Sequence, residues 1–385
     1  MMENTSYIEL SRKAVQNNFD YLREIIGDRV TISHVVKGNA YGHGINTYVP
    51  LAVELGAKHF STFDAHEAHQ VYNAVNGDAT LMVMGMIDNE ELEWAIEHQI
   101  EFFIFDIDRL KKAISAARKM KTQARVHIEL ETGMNRTGFE KDQMAEVIKI
   151  IKANAEVLFI KGICTHYAGA ESYANFFRVK DQFQRFKKGV KRLEKNDIQA
   201  EALHAACSAA AVRFPKSRLD MVRIGIMQYG FWPSTETYIE KVKPTQILGE
   251  DPLQRVISWK SRVMNIKHVK QGEYVGYGTS YLATSDIKVA TVPVGYGHGF
   301  SRSLSNTGRA LVREVRVPVI GTVNMNMMLL DVSQVDNTEK GDEVVLIGNQ
   351  GEMSISVSSF SDYSDQLNYE LLTRLPHDIP RYIVE

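Results

Sequence analysis

Cysteine is nearly absent from this 385-residue chain, which carries two, Cys164 and Cys207. Each falls in or at the end of a run that reads as a buried strand, a placement that suits neither a disulfide framework nor a zinc site. Long hydrophobic runs are missing too. No 18-residue apolar stretch occurs, and the opening MMENTSYIELSRKAVQNNF lacks the basic start and apolar core of a secretory signal, so a soluble protein of the reducing cytoplasm is expected. Charge of one sign is not in excess. The 45 basic and 47 acidic residues leave a formal charge of −2, without the concentrated cationic surface that nucleic-acid phosphates demand. Metal-ligand spacings such as HExxH, low-complexity tracts and fixed-period repeats are likewise absent, and no metal is expected.

What is present is a large apolar complement, 44% of residues, in a chain long enough for two domains. From about residue 30 to 230, short Val/Ile/Phe-rich runs alternate with amphipathic stretches. The eight runs are VTISHVVKG, HFSTF, TLMVMG, EFFIF, ARVHIELE, LFIKGICTH, ALHAAC and MVRIG. This alternation predicts repeated βα units, and eight of them predict a closed (β/α)8 TIM barrel over residues 1–245. Beyond WPSTETYIEKVKPTQILGEDP the helical pattern stops. RVISWKSRVMNIKHV, KVATVPVGYG, ALVREVRVPVIG, MMLLDVS and DEVVLIG read as strands joined by Gly and Asn turns, so a mostly β domain is expected over 246–385.

Barrel enzymes carry their chemistry at the C-terminal ends of strands. The first run ends in VVKGNAYGHG, where Lys37 follows a buried strand. Such a lysine either snorkels to the rim or is desolvated into a low-pKa, imine-forming nucleophile. The residue alone leaves these balanced. Strands seven and eight are followed by Cys207-Ser208-Ala209-Ala210 and Arg223-Ile224-Gly225-Ile226, loops able to offer a hydroxyl and backbone amides to an anion. A lysine beside a phosphate cradle suggests a phosphorylated aldehyde cofactor.

With that cofactor in view, the sequence resembles the alanine racemase family, the barrel-type pyridoxal 5'-phosphate enzymes, over essentially its whole length. VVKGNAYGHG, ETGMNRTG, CTHYAG, HAACSAAAVRFP, MVRIGI, VGYGTSY, VPVGYGHG and NYE occur in the family's order. The resemblance implies a barrel plus β domain, an isomerase acting on a small amino acid, and supply of D-alanine. It makes Lys37 the cofactor lysine and the base on one substrate face, with Tyr277 the base on the other. It assigns the phosphate to Tyr41, Ser208, Tyr369 and the backbone of Gly225 and Ile226, and the ring nitrogen to Arg223. His166 is expected between Tyr277 and Arg223, and His204 beside Arg223. Arg136 and the Met325 backbone are expected at the substrate carboxylate and cofactor oxygen, with Tyr296 at the entrance. A homodimer sharing its active sites is also implied.

These residue types suit racemisation, which removes a proton from one face of a carbon and returns one to the other. A phenol can serve as the second base only where positive charge or hydrogen bonding eases its deprotonation. An arginine opposite a pyridine nitrogen, never surrendering its proton, keeps that nitrogen largely unprotonated and so limits side reactions.

Several positions depart from the family. Glu129 stands where a lysine, often carbamylated, is usual, and is expected to orient Arg136. Cys207 replaces an asparagine, His298 an aspartate, Thr322 an arginine, and Asn324-Met325-Asn326 the common Cys-Met-Asp. Altered charge at the entrance keeps a racemase of serine or of a larger or basic amino acid as the alternative substrate class. A non-catalytic pyridoxal phosphate-binding protein is the alternative of another kind, opposed by the presence of Tyr277.

Overall fold

The computed structural model describes residues 4–242, 251–356 and 368–385. The first strand, β1 (Ser6–Ser11), belongs to the C-terminal sheet. The next eight are β2 (Thr31–Val35), β3 (His59–Thr62), β4 (Thr80–Val83), β5 (Glu101–Ile104), β6 (Ala124–Glu129), β7 (Leu158–Cys164), β8 (Ala202–Cys207) and β9 (Met221–Ile224). They pair in parallel, each with the next, and β2 with β9 closes the barrel in register Thr31↔Met221 to His34↔Ile224. The eight strands are the eight runs expected from the sequence.

The helix Ile107–Met120 shows why the intervening segments coil. Asp106 caps it, its carboxylate accepting the Arg109 N–H at 2.8 Å, and Arg118 and Lys119 complement the dipole of its last turn. Leu110, Ala113, Ile114 and Ala117 recur at helical spacing and are buried. Truncating Leu110 to Ala would cost about 2–5 kcal/mol.

The β sheet has ten strands. To β1 it adds β10 (Ile257–Arg262), β11 (Asn265–Val269), β12 (Ile287–Val292), β13 (Arg309–Val312), β14 (Val315–Ile320), β15 (Met328–Asp331), β16 (Glu343–Gln350), β17 (Met353–Ile355) and β18 (Arg381–Val384). β1 sits between β10, antiparallel, and β18, parallel. Alternation in β1 is clean: Ile8 and Leu10 are fully buried while Tyr7 and Glu9 are half-exposed.

The chain thus divides into two compact units whose borders differ from the expected cut at 245/246. One comprises residues 13–37 and 49–254, the barrel; the other comprises 1–12, 38–48 and 255–385. The physical reason is that β1 finds its hydrogen bonds on β10 and β18, so residues assigned to the barrel by sequence order belong to the sheet. The cut itself lies among 243–250, outside the described residues.

The segment 38–48 is unusual locally. Gly38, Asn39, Ala40 and Tyr41 take φ of 62, 53, 53 and 50°, a turn of left-handed helix. For the three that are not glycine this costs roughly 1–2 kcal/mol each. Its own unit compensates: Asn39 Oδ1 accepts from Ile45 N–H at 3.0 Å, and Arg381 donates to the Gly42 carbonyl from Nε (3.1 Å) and Nη2 (2.9 Å). A Cβ on Gly42 would overlap the Leu372 carbonyl oxygen. Among the described residues no helix is long and apolar enough to cross a membrane.

Candidate active site

Lys37 leaves β2 through Val36, which is fully buried and donates its N–H to the Ser61 carbonyl at 2.9 Å. The lysine side chain opens to the barrel mouth. The surrounding walls nevertheless depress its ammonium pKa by withdrawing water, and the Arg136 and Arg223 charges push the same way. A fraction of neutral amine near working pH is what a proton acceptor or nucleophile requires.

Arg223, third residue of β9, is buried at 4% exposure. Its Nη2 donates to the carbonyls of Thr165 (2.8 Å) and Ala205 (3.2 Å) and to His166 Nδ1 (3.3 Å); its Nη1 donates to His204 Nδ1. A guanidinium cannot accept. Both imidazoles must therefore present a bare Nδ1 to it and carry their proton on Nε2. Burial and then the Arg223 charge lower His166 to about 3 and His204 well below the ordinary histidine value, so both are neutral at working pH.

Ser208, at the end of β8, accepts the Gly225 N–H at 3.0 Å, which ties the loop after β8 to the loop after β9. Ser208, Gly225 and Ile226 are buried together. Neighbouring Cys207 has its thiol pushed up by burial. The loop after β6 is organised by Glu131, whose carboxylate accepts the backbone N–H groups of Met134 (2.9 Å) and Asn135 (2.8 Å) and presents Arg136 to solvent. Glu129 is buried, which raises its pKa; its hydrogen bond runs to Thr137.

The barrel therefore gathers Lys37, Arg136, His166, His204, Ser208, Arg223, Gly225 and Ile226. The sheet unit holds the others. Tyr296 N–H donates to the Asn324 carbonyl (2.9 Å) and Gly297 N–H to the Met325 carbonyl (2.8 Å), so Tyr296 and Met325 share a corner. Ser280 Oγ lies 3.1 Å from Thr322 Oγ1, bringing the Tyr277 loop beside the segment that leads to Met325. His298 Nδ1 accepts the Gly295 N–H at 3.2 Å. Tyr277, Met325 and Tyr296 are 73%, 57% and 42% exposed, and Tyr41 is half-buried. The Tyr369 side chain lies outside the described residues.

Sequence reasoning missed polar groups deeper in the barrel. His204 Nε2 meets His127 Nδ1 at 2.8 Å, and His127 Nε2 meets Glu101 Oε2 at 2.8 Å. The available signal was a glutamate opening EFFIF and a histidine within ARVHIELE, strand runs otherwise destined for an apolar core.

The donor set fits pyridoxal phosphate chemically: a depressed lysine for the aldehyde, a hydroxyl and backbone amides for the phosphate, and a permanent donor for the ring nitrogen. Relatives agree. The family "Alanine racemase, N-terminal domain" matches residues 10–233, and "Alanine racemase, C-terminal domain" matches 256–383. Alanine racemase of Leptospira interrogans is 32% identical over 384 residues, covering 99% of this chain and 96% of its own. The crystal structure of alanine racemase from Bacillus anthracis with bound L-Ala-P superposes with a TM-score of 0.90 at 28% identity, spanning 100% of this chain and 96% of that one. In fold the chain also matches alanine racemase from Bartonella henselae with covalently bound pyridoxal phosphate (TM-score 0.84, 22% identity, 99% and 100% coverage). An eight-stranded parallel barrel, a β domain after it and relatives aligned along nearly the whole length converge, and the chain belongs to the alanine racemase family.

Proposed function

We propose that this protein interconverts L- and D-alanine with pyridoxal 5'-phosphate, using Lys37 and Tyr277 as bases on opposite faces of the substrate. The observation that carries this reading is a lysine of lowered pKa at the end of β2, under the influence of a buried arginine that bonds two neutral histidines. When bound, the cofactor supplies an aldehyde that captures the amino group and an aromatic ring that takes up charge from the α-carbon.

Lys37 removes or returns the proton on its face, a task that its lowered pKa favours. Ser208 and the backbone of Gly225 and Ile226 would hold the phosphate with Tyr41 and Tyr369; Arg223 would face the ring nitrogen. Arg136 and the Met325 backbone would orient the carboxylate, and Tyr296 would narrow the entrance. His166, its Nδ1 turned to Arg223, has an Nε2 proton to donate, and a phenolate is the acceptor that suits it.

The exposed Tyr277, Tyr296 and Met325 support a homodimer in which Tyr277 of the partner subunit completes each site. Two free cysteines, one buried and one half-buried, support a cytoplasmic location.

A chiral product assay over L-alanine, L-serine, L-lysine and L-arginine tests the reading. D-alanine should form fastest. Failure to produce any D-amino acid, together with no α-proton exchange in heavy water, would refute racemase action; faster turnover of serine or a basic amino acid would move the substrate.

A further inference from the structure

The interior of a (β/α)8 barrel is ordinarily filled by layers of branched apolar side chains. Here a continuous file of polar groups crosses it. From Arg223 on β9 the path runs to His204 on β8, His127 on β6 and Glu101, the first residue of β5. His59 on β3 approaches the same Glu101 Oε2 at 3.4 Å through Nε2, while its Nδ1 lies 2.9 Å from Ser33 Oγ on β2. Lys161 on β7 reaches the other oxygen, Oε1, at 3.4 Å and also pairs with Glu201. Exposure grows along the path: Glu101 is 2% exposed, the Lys161 side chain 21% and the Glu201 side chain 51%.

From Arg223 to Glu101 the protons are fixed by chemistry. Arg223 only donates, so His204 Nδ1 is bare and its proton sits on Nε2, aimed at His127 Nδ1. His127 must in turn carry its proton on Nε2, where Glu101 accepts it. Both imidazole dipoles then point the same way, from a cation to an anion. Among the described residues no carboxylate forms a direct ion pair with Arg223. A buried guanidinium needs compensating negative charge: Glu129, also buried, acts on Arg223 through space without a hydrogen bond, and Glu101 is the anion to which the guanidinium's hydrogen bonds lead.

The backbone makes room for this. A Cβ on Gly162, in β7, would overlap His127 Nδ1 and stand 3.0 Å from His204 Nε2, so the contact between the two rings needs glycine there. Strand register slips at the same level, between Val126 and His127 against β7 and between His204 and Cys207 against β9. Such irregularities re-aim side chains.

We propose that Glu101 is a positioning residue for the racemase reaction: through His127 and His204 it fixes the orientation of Arg223, adds negative charge at the far end of that hydrogen-bonded file, and so tunes the electron demand that Arg223 places on the cofactor's ring nitrogen. The proposal rests on the reading that Arg223 faces that nitrogen. It differs from a merely structural role because the charge of Glu101, and not only its shape, is used.

The test compares wild-type holoenzyme with Glu101→Gln, which keeps an acceptor for His127 and removes the charge, and with Arg223→Lys as reference. Histidine-labelled ¹⁵N NMR reads the tautomers, and [¹⁵N]pyridoxal phosphate reads the ring nitrogen. In wild type, His127 and His204 should both be neutral Nε2–H tautomers. Glu101→Gln should shift the His127 Nε2–H resonance and the ring-nitrogen resonance together, and lower kcat about tenfold with little change in KM. An Nδ1–H tautomer at His204 or His127 in wild type overturns the proposal with no variant needed. A ring nitrogen moved by Arg223→Lys but unmoved by Glu101→Gln overturns it while sparing the placement of Arg223. A ring nitrogen moved by neither refutes that placement, and the proposal with it.

Discussion

The surroundings of Lys37 and of Tyr277 could hardly differ more. Lys37 emerges between a buried strand and a left-handed turn, among charges close enough to move its pKa. Tyr277 stands 73% exposed between Gly276 and Gly278, both at positive φ. The lysine side is pre-organised by its own barrel, where Arg223 is already hydrogen-bonded to His166 and His204, and Ser208 to Gly225. The tyrosine side presents aromatic and methionine surface in want of a cover. On our reading, one half of the chemistry is built into a fold and the other is finished by assembly.

The comparison breaks most sharply at Lys37. Lys37→Ala should abolish covalent retention of pyridoxal phosphate after borohydride reduction and lower racemisation about 10⁴-fold, the upper range for a positioned base. Tyr277→Phe should be milder and asymmetric. Racemisation should fall about 10²–10³-fold, yet α-deuterium exchange in heavy water should survive from one enantiomer and fail from the other. Equal loss from both enantiomers would remove the two-face assignment.

A third measurement sharpens the contrast through pH. Burial holds His34, bonded to Gln228 at 2.9 Å inside the barrel, at about 4 against an ordinary 6.5. The folded state thus binds this proton less readily than the unfolded chain. Its stabilising effect is intact above pH 6.5 and is lost progressively as pH falls towards 4, on the order of 3 kcal/mol for this group. Urea midpoints followed from pH 7 to 4 should drop across that window, and a flat profile would contradict the buried, neutral state. The smallest effect is expected at Glu129. Its contact is Thr137 and its influence on Arg136 acts through space, so Glu129→Gln should lower kcat/KM only about threefold, read in initial rates. An unchanged rate would count against any orienting role.

Much of this was legible before any coordinates. The barrel strands announced themselves because parallel strands buried on both faces become nearly continuous apolar runs, as EFFIF and TLMVMG show. Lys37, Ser208 and Arg223 were legible because each directly ends a run or lies within one next to a small-residue loop. β1 was not, because SYIELS is short and its partners β10 and β18 lie some 250 to 375 residues further along the chain. The Glu101 file was hidden for a related reason. A histidine in one strand and a glutamate in another carry no mutual signal until closure of the barrel brings them within 2.8 Å.

The turn of opposite hand after Lys37 ties the start of the chain to its finish. Arg381, the first residue of β18, grips the Gly42 carbonyl, and Leu372 crowds the same glycine. A proteolytic nick that shed the final strand would let go of that clasp. The coil could then relax towards the ordinary hand, and trimming a tail far away in sequence would slacken the tether of Lys37.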